Sequence, residues 1–136
     1  MASKMEYYAN TMGPISVYIQ IENQIQFAIA SGKLKPGDRL PSVREMSAIL
    51  DVNPNTVAKA YRDLELLRFV IPRRGVGVIV TDAAPQIAKA QTLQMVLEHL
   101  SSAVSECIAS GLTPQEVRSN VSKAIESGMR PYQTLP

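Results

Sequence analysis

From Pro14 onward, apolar residues return at helical spacing. Tyr18, Ile21, Ile25, Ala28 and Ile29 predict a helix over residues 15–31. Gly32 stands where a left-handed residue ends such a helix. Before it, residues 1–13 show no clear period and are expected to form a flexible arm. A loop with a Pro36-Gly37 turn follows. Val43, Met46, Ile49 and Leu50 then form the inner face of a second helix over residues 42–50. Ser42 and Glu45, three apart, make a capping box at its start. After the turn Asp51-Val52-Asn53, Pro54 suits the first position of a third helix, where its missing N–H costs nothing. That helix runs to residue 67, with Val57, Ala60, Tyr61, Leu64 and Leu67 on one side. Residues 69–72 and 76–81 read as two short strands around Arg73-Arg74-Gly75, and Pro72 confines its strand to an edge.

Beyond Thr81 the pattern changes. A long helix over residues 85–110 carries Leu93, Leu97, Leu100, Val104 and Cys107 in a heptad-like seam. Gly111 ends it. Thr113 and Glu116 box the start of a last helix, with Val117, Val121, Ala124 and Ile125 on its apolar face and Gly128 as its stop. The tail to residue 136 is expected to be loose. The chain therefore divides into an arm (1–13), a winged helix-turn-helix (14–82) and a helical region (83–136). Its fold class is mainly α with a small β-hairpin. Two helices alone bury little surface. Leu93, Leu97, Leu100, Val104, Cys107, Val117, Val121 and Ile125 are accordingly expected to pair with a second copy, making the C-terminal part a dimerisation region.

Composition narrows the class. The 136 residues are 46% apolar, too rich for a disordered chain. No apolar run approaches the roughly 18 residues of a membrane span, and there is no signal-like segment, so a cytoplasmic protein without a membrane partner is expected. Cys107 is the only cysteine, which excludes an internal disulfide. One Cys and one His, His99, make neither a nucleophilic pair nor a metal set. No glycine-rich phosphate loop is present, and Arg74-Gly75-Val76-Gly77 sits on a hairpin. No enzyme, cofactor or metal is expected. The formal charge of +2 says little by itself, but its distribution matters. Residues 53–80 hold five basic residues against two acidic ones, a local +3, while residues 84–136 balance four against four.

A helix, a tight turn, a helix with a polar face and an arginine-tipped hairpin, in that order, place one helix in the major groove of double-stranded DNA. Asn55, Ala58, Lys59 and Arg62 fall within about a quarter of the third helix's circumference at about 100° per residue. Asn can bond adenine and Lys can donate to guanine. Asn53, Asn55 and Thr56 lie at the helix start, where base contacts concentrate in this docking mode. Arg39, Ser42 and Arg44, around the start of the second helix, are expected on phosphates. Arg73, Arg74 and Gly75 form a tip that reaches the backbone or the minor groove. Singly, each of these residues also serves as a cap, a turn or a solvated charge. The ordered combination carries the assignment.

The segment LKPGDRLPSVREMSAILDVNPNTVAKAYRDLE, followed by RRGVG, resembles the DNA-binding domain of GntR-type transcriptional regulators. NPNTV-x-KAY-x-DLE is most similar to the YtrA subgroup, whose C-terminal part is two helices instead of a large effector domain. The resemblance implies that Arg44 contacts DNA, that Asn53, Asn55 and Thr56 begin the recognition helix, and that Arg74 and Gly75 enter the minor groove. Pro54 and Ala58 stand where many members carry arginine, and Lys59 and Arg62 are the candidates to replace them. Asp51 and Arg68 stand where the family usually has glycine.

The expected function is a bacterial, homodimeric repressor on an inverted repeat, with regulation of a transporter operon implied by the resemblance alone. Any small-molecule effector would sit between the reading head and the dimer helices. The alternative is a protein-interaction module on a winged-helix scaffold. A single-stranded nucleic-acid binder would stack bases on aromatics, and Tyr61 faces inward.

Overall fold

The computed structural model describes residues 5–133. Helix α1 (Val17–Ala30) comes first, followed by α2 (Val43–Leu50) and α3 (Pro54–Leu66). The hairpin is β1 (Val70–Arg73) and β2 (Gly77–Val80). Helix α4 (Ala84–Ile87) runs through a wide π-turn (Ala88–Thr92) into α5 (Leu93–Ala109), and α6 (Pro114–Ser127) closes the order. Each helix thus starts or ends within a few residues of its predicted bounds, and the caps explain why. Ser42 Oγ accepts from the Glu45 N–H at 3.0 Å while the Glu45 carboxylate accepts from the Ser42 N–H at 3.0 Å. Thr113 and Glu116 do the same for α6. These reciprocal bonds satisfy donors that the first turn leaves free.

The head has one core. Ile21, Ile25, Leu40, Met46, Val57, Leu64 and Phe69 are fully buried within it, and α3 packs on both α1 and α2. The hairpin pairs antiparallel, with Val70 opposite Val80 and Arg73 opposite Gly77. On its other side β2 takes the loop before α2: Leu40 N–H donates to Val78 at 2.8 Å and Val80 N–H to Asp38 at 2.9 Å. That leaves β1 on the edge, the position where Pro72 is tolerated.

Several expectations change. Ile49 is 54% exposed instead of facing inward, and Leu67 is a half-open cap residue. Met46 is buried and Val43 and Leu50 pack against the core, whereas Ile49 falls roughly 60° outside that face at about 100° per residue. Residues 1–4 of the expected arm and 134–136 of the expected tail lie outside the described residues. Residues 5–13 are not a loose arm, because two glutamines of α1 hold them. Gln20 accepts from the Asn10 N–H at 2.8 Å and donates to the Asn10 carbonyl at 2.9 Å. Gln24 accepts from the Tyr8 N–H at 3.3 Å and donates to the Tyr8 carbonyl at 2.6 Å. Residues four apart on a helix advance about 6 Å, and residues two apart on an extended chain about 6.6 Å. The two side-chain amides therefore meet the backbone as a strand would.

The tail also returns to the head. Asn10 donates to the Tyr132 carbonyl at 3.0 Å and Asn23 to its hydroxyl at 2.8 Å. The Arg130 guanidinium lies 4.1 Å from the centre of the Tyr8 ring. At the other connection, Ala84 and Ala88 are wholly buried along α1, and the buried Thr92 hydroxyl donates to Gln26 at 2.8 Å. The predicted unbroken helix is interrupted at this contact by the π-turn.

Candidate nucleic-acid interface

Helix α3 shows its polar side to solvent. Asn55, Lys59 and Arg62 are exposed, with Thr56 and Ala58 half-covered. Its opposite side, Val57, Ala60, Tyr61 and Leu64, is buried, so the helix is seated by its apolar flank. Asn53 caps it, its side-chain oxygen accepting from the Asn55 N–H at 2.8 Å. Asp51 makes the sharp turn between α2 and α3 in the left-handed conformation, at φ 54°. Ser47 braces that turn by donating to the Val52 carbonyl at 2.7 Å. Tyr61 crosses the head to donate to the Pro41 carbonyl at 2.6 Å, just ahead of the α2 cap. Burial, then the neighbouring Tyr7 and Glu45, push this phenol above its usual range, so it remains a donor.

Ser42 and the exposed Arg44 stand at the start of α2. The wing tip, Arg73, Arg74 and Gly75, is exposed, and Gly75 has φ 77°, open only to glycine without strain. The structure thus gathers the polar face of α3, the α2 start and an arginine-bearing wing within one head.

Two expected contacts are engaged elsewhere in the unbound chain. Lys59 Nζ lies 3.1 Å from Asp63 and 4.6 Å from the centre of the Tyr18 ring, which directs it toward α1. Lys59 is at the rim of the predicted polar arc, and only the packing of α1 decides which way it leans. Arg39 donates to the Val76 carbonyl at 3.1 Å and to Glu45 at 2.7 Å. The backbone N–H of Ser42 first, and Arg39 next, hold the Glu45 carboxyl below the usual carboxylate range.

Sequence reasoning missed Glu22. It approaches Asp63 and Lys59 from α1, and one of its oxygens is buried without a partner. Burial first, and the Asp63 carboxylate next, raise it from 4.5 to about 8. No local pattern announces an acid pair formed across two helices. Among the described residues no group of His, Cys, Asp and Glu could hold a metal, and no helix is long and apolar enough to cross a membrane.

The C-terminal seam is open. None of the 17 residues of α5 is buried. Leu97 is 60% exposed, Leu100 52% and Ile125 76%, while Leu93 and Val121 are also exposed and Val104 and Cys107 half-covered. Val117 is the exception, buried within its own chain. Helices α5 and α6 touch sparsely. An open groove of about 640 Å³ lies between the N-terminal segment, α1 and the tail, lined by Tyr8, Phe27, Lys33, Met129 and Arg130.

A seated polar helix, a turn-linked partner and a basic wing define a winged helix-turn-helix transcriptional regulator that binds DNA. The family model for bacterial regulatory proteins of the gntR family matches residues 17–80. An uncharacterized HTH-type transcriptional regulator, YhcF of Bacillus subtilis, is 35% identical over 112 residues, covering 82% of this chain and 92% of that protein. The HTH-type transcriptional repressor YtrA of the same organism is 35% identical over 96 residues, covering 71% and 74% respectively. A GntR family transcriptional regulator from Listeria monocytogenes superposes with a TM-score of 0.63 at 28% identity, over 84% of this chain and 97% of that one. The chain belongs to the GntR family of transcriptional regulators, in its YtrA-type branch.

Proposed function

We propose that this regulator is a cytoplasmic homodimeric repressor that occupies an inverted repeat, one head per half-site. The observation that carries the dimer is α5, which runs 17 residues without burying one of them. A helix with Leu93, Leu97 and Leu100 on its open side gains by covering them, at about 25 cal/mol for each Å² removed from water. A second copy supplies the matching seam, and two-fold symmetry then aligns two heads with a palindromic site. The repressor named YtrA, similar over most of its length, supports the direction of control.

On the DNA, Asn55 and Thr56 read bases, and Arg62 flanks them. Ser42 and Arg44 hold phosphate, Arg73, Arg74 and Gly75 enter the neighbouring minor groove, and Asn53 aligns the helix start. Lys59 joins this set by leaving Asp63 when phosphate or a base edge competes for it. A small-molecule effector fits the groove beside Arg130. Its walls come from the head and from the tail after α6, so a ligand there alters how the head is held.

The test is binding-site selection from random DNA, followed by gel-shift titrations. Selected fragments should contain an inverted repeat with half-sites about one helical turn apart. Arg44→Ala should weaken binding to every sequence and lower the salt slope by about one. Asn55→Ala should instead relax base preference at one position. Recovery of no consensus, or titrations indifferent to both changes, would reject this reading.

A further inference from the structure

Arg39 joins two parts of the head, the wing tip and the start of α2, that must meet DNA together. Its Nε–H donates to the carbonyl of Val76 at the wing tip, 3.1 Å away. Its terminal nitrogen donates to Glu45 Oε1 at 2.7 Å. That same carboxylate oxygen accepts from the Ser42 N–H at 3.0 Å, the cap of α2. A continuous chain of bonds therefore runs from the wing tip, through the guanidinium, to the start of the helix that carries Arg44. The backbone is adapted to it. Arg39 lies opposite Ile79 across an isolated bridge to β2. Gly77 has φ 117°, and a Cβ there would come within 3.2 Å of Arg39 Nε. The missing side chain gives the guanidinium room to lie along the wing.

We propose that Arg39 is a positioning residue that sets the distance between the wing tip and the start of α2. With that distance held, Arg74 and Arg44 engage one stretch of DNA at once. The proposal rests on the DNA-binding reading given above and assigns Arg39 a role other than a phosphate contact. The residue type fits the task. A guanidinium directs two distinct N–H groups at two acceptors in fixed geometry, whereas an ammonium is a point charge on a flexible stem. The ion pair is about half exposed, with side chains 43% and 52% accessible. A pair so exposed contributes little to folding, so its removal leaves the head folded. The loss then falls on the relation between wing and helix.

The full-length protein and a DNA fragment obtained by selection provide the test. Affinity is measured for the parent, Arg39→Lys, Arg39→Ala, Arg74→Ala and the Arg39→Ala/Arg74→Ala double variant, with hydroxyl-radical footprints on each. Arg39→Lys keeps the charge, yet it should bind about tenfold more weakly and lose protection of the DNA flank under the wing. In the Arg74→Ala background, Arg39→Ala should cost less than about twofold, because the wing it positions no longer contributes. Urea midpoints of all variants should match the parent. Additive losses in the cycle, or an Arg39→Lys protein that binds and footprints like the parent, overturn the proposal in favour of a direct contact. Arg44→Ala controls for the underlying reading. A parent that binds no DNA fails that reading, whereas binding lost in Arg44→Ala but indifferent to Arg39 fails this proposal alone.

Discussion

Tyr61→Phe isolates one bond that connects α3 to the start of α2. The ring is 5% exposed, and phenylalanine fills the same space, so no cavity opens. What disappears is the 2.6 Å bond to the Pro41 carbonyl. Pro41 is half-buried, so water replaces the lost donor only in part. A carbonyl stripped of its partner in such a place costs about 1–1.5 kcal/mol, between the net worth of a hydrogen bond and the penalty for a fully orphaned group. With a urea slope of about 2 kcal/mol per molar, the unfolding midpoint should fall by roughly 0.5–0.75 M at unchanged slope. Protein concentration must be held fixed, since association adds to apparent stability. DNA affinity measured well below the transition should drop a few-fold, because α3 loses a tether to the residue preceding Ser42. A midpoint within about 0.1 M of the parent would refute the assigned bond. A much larger fall, with a changed slope, would show that the ring itself had moved.

Arg68 sits at φ 67°, a region costing non-glycine residues about 1–2 kcal/mol. Glycine's extra freedom in the unfolded chain returns about 0.5–1 kcal/mol of that, so Arg68→Gly should raise the melting temperature by a few degrees in calorimetry, and a decrease would contradict the strain. Leu97→Glu should convert the proposed dimer to monomer in sedimentation experiments while leaving the circular dichroism of the head intact; sedimentation unchanged from the parent would remove α5 from the interface. Glu22 titrates at about 8 in the folded chain against 4.5 ordinarily, so the native state binds the extra proton between those values. Its contribution to stability is complete below about 4.5, declines as pH rises, and is gone above about 8. Glu22→Gln should therefore flatten that decline in urea midpoints taken across this window, and parallel pH profiles for the two proteins would exclude the shift.

Sequence by itself determined what neighbours in the chain can settle. The boxes Ser42–Glu45 and Thr113–Glu116, the cap at Asn53 with Pro54 behind it, and the turn-forming Gly75 act within four residues. Their bonds form in the folded chain as their spacing predicts. The alternation of apolar and polar positions likewise chose the flank by which α3 is seated, and through it the polar side turned to solvent. Only the tertiary structure decided the rest. Gln20 and Gln24 read as ordinary helix residues until an extended segment at Tyr8 and Asn10 lies beside them. Lys59 and Arg62 are both cations of α3's polar side, yet it is Lys59 that pairs with Asp63 at 3.1 Å and lies over the Tyr18 ring. Arg39 reads as one more cation for phosphate, and Val76, thirty-seven residues away, gives it a partner inside the protein. Such contacts depend on where separate elements dock, and docking is fixed by the packing of the whole core, which no short window of residues contains.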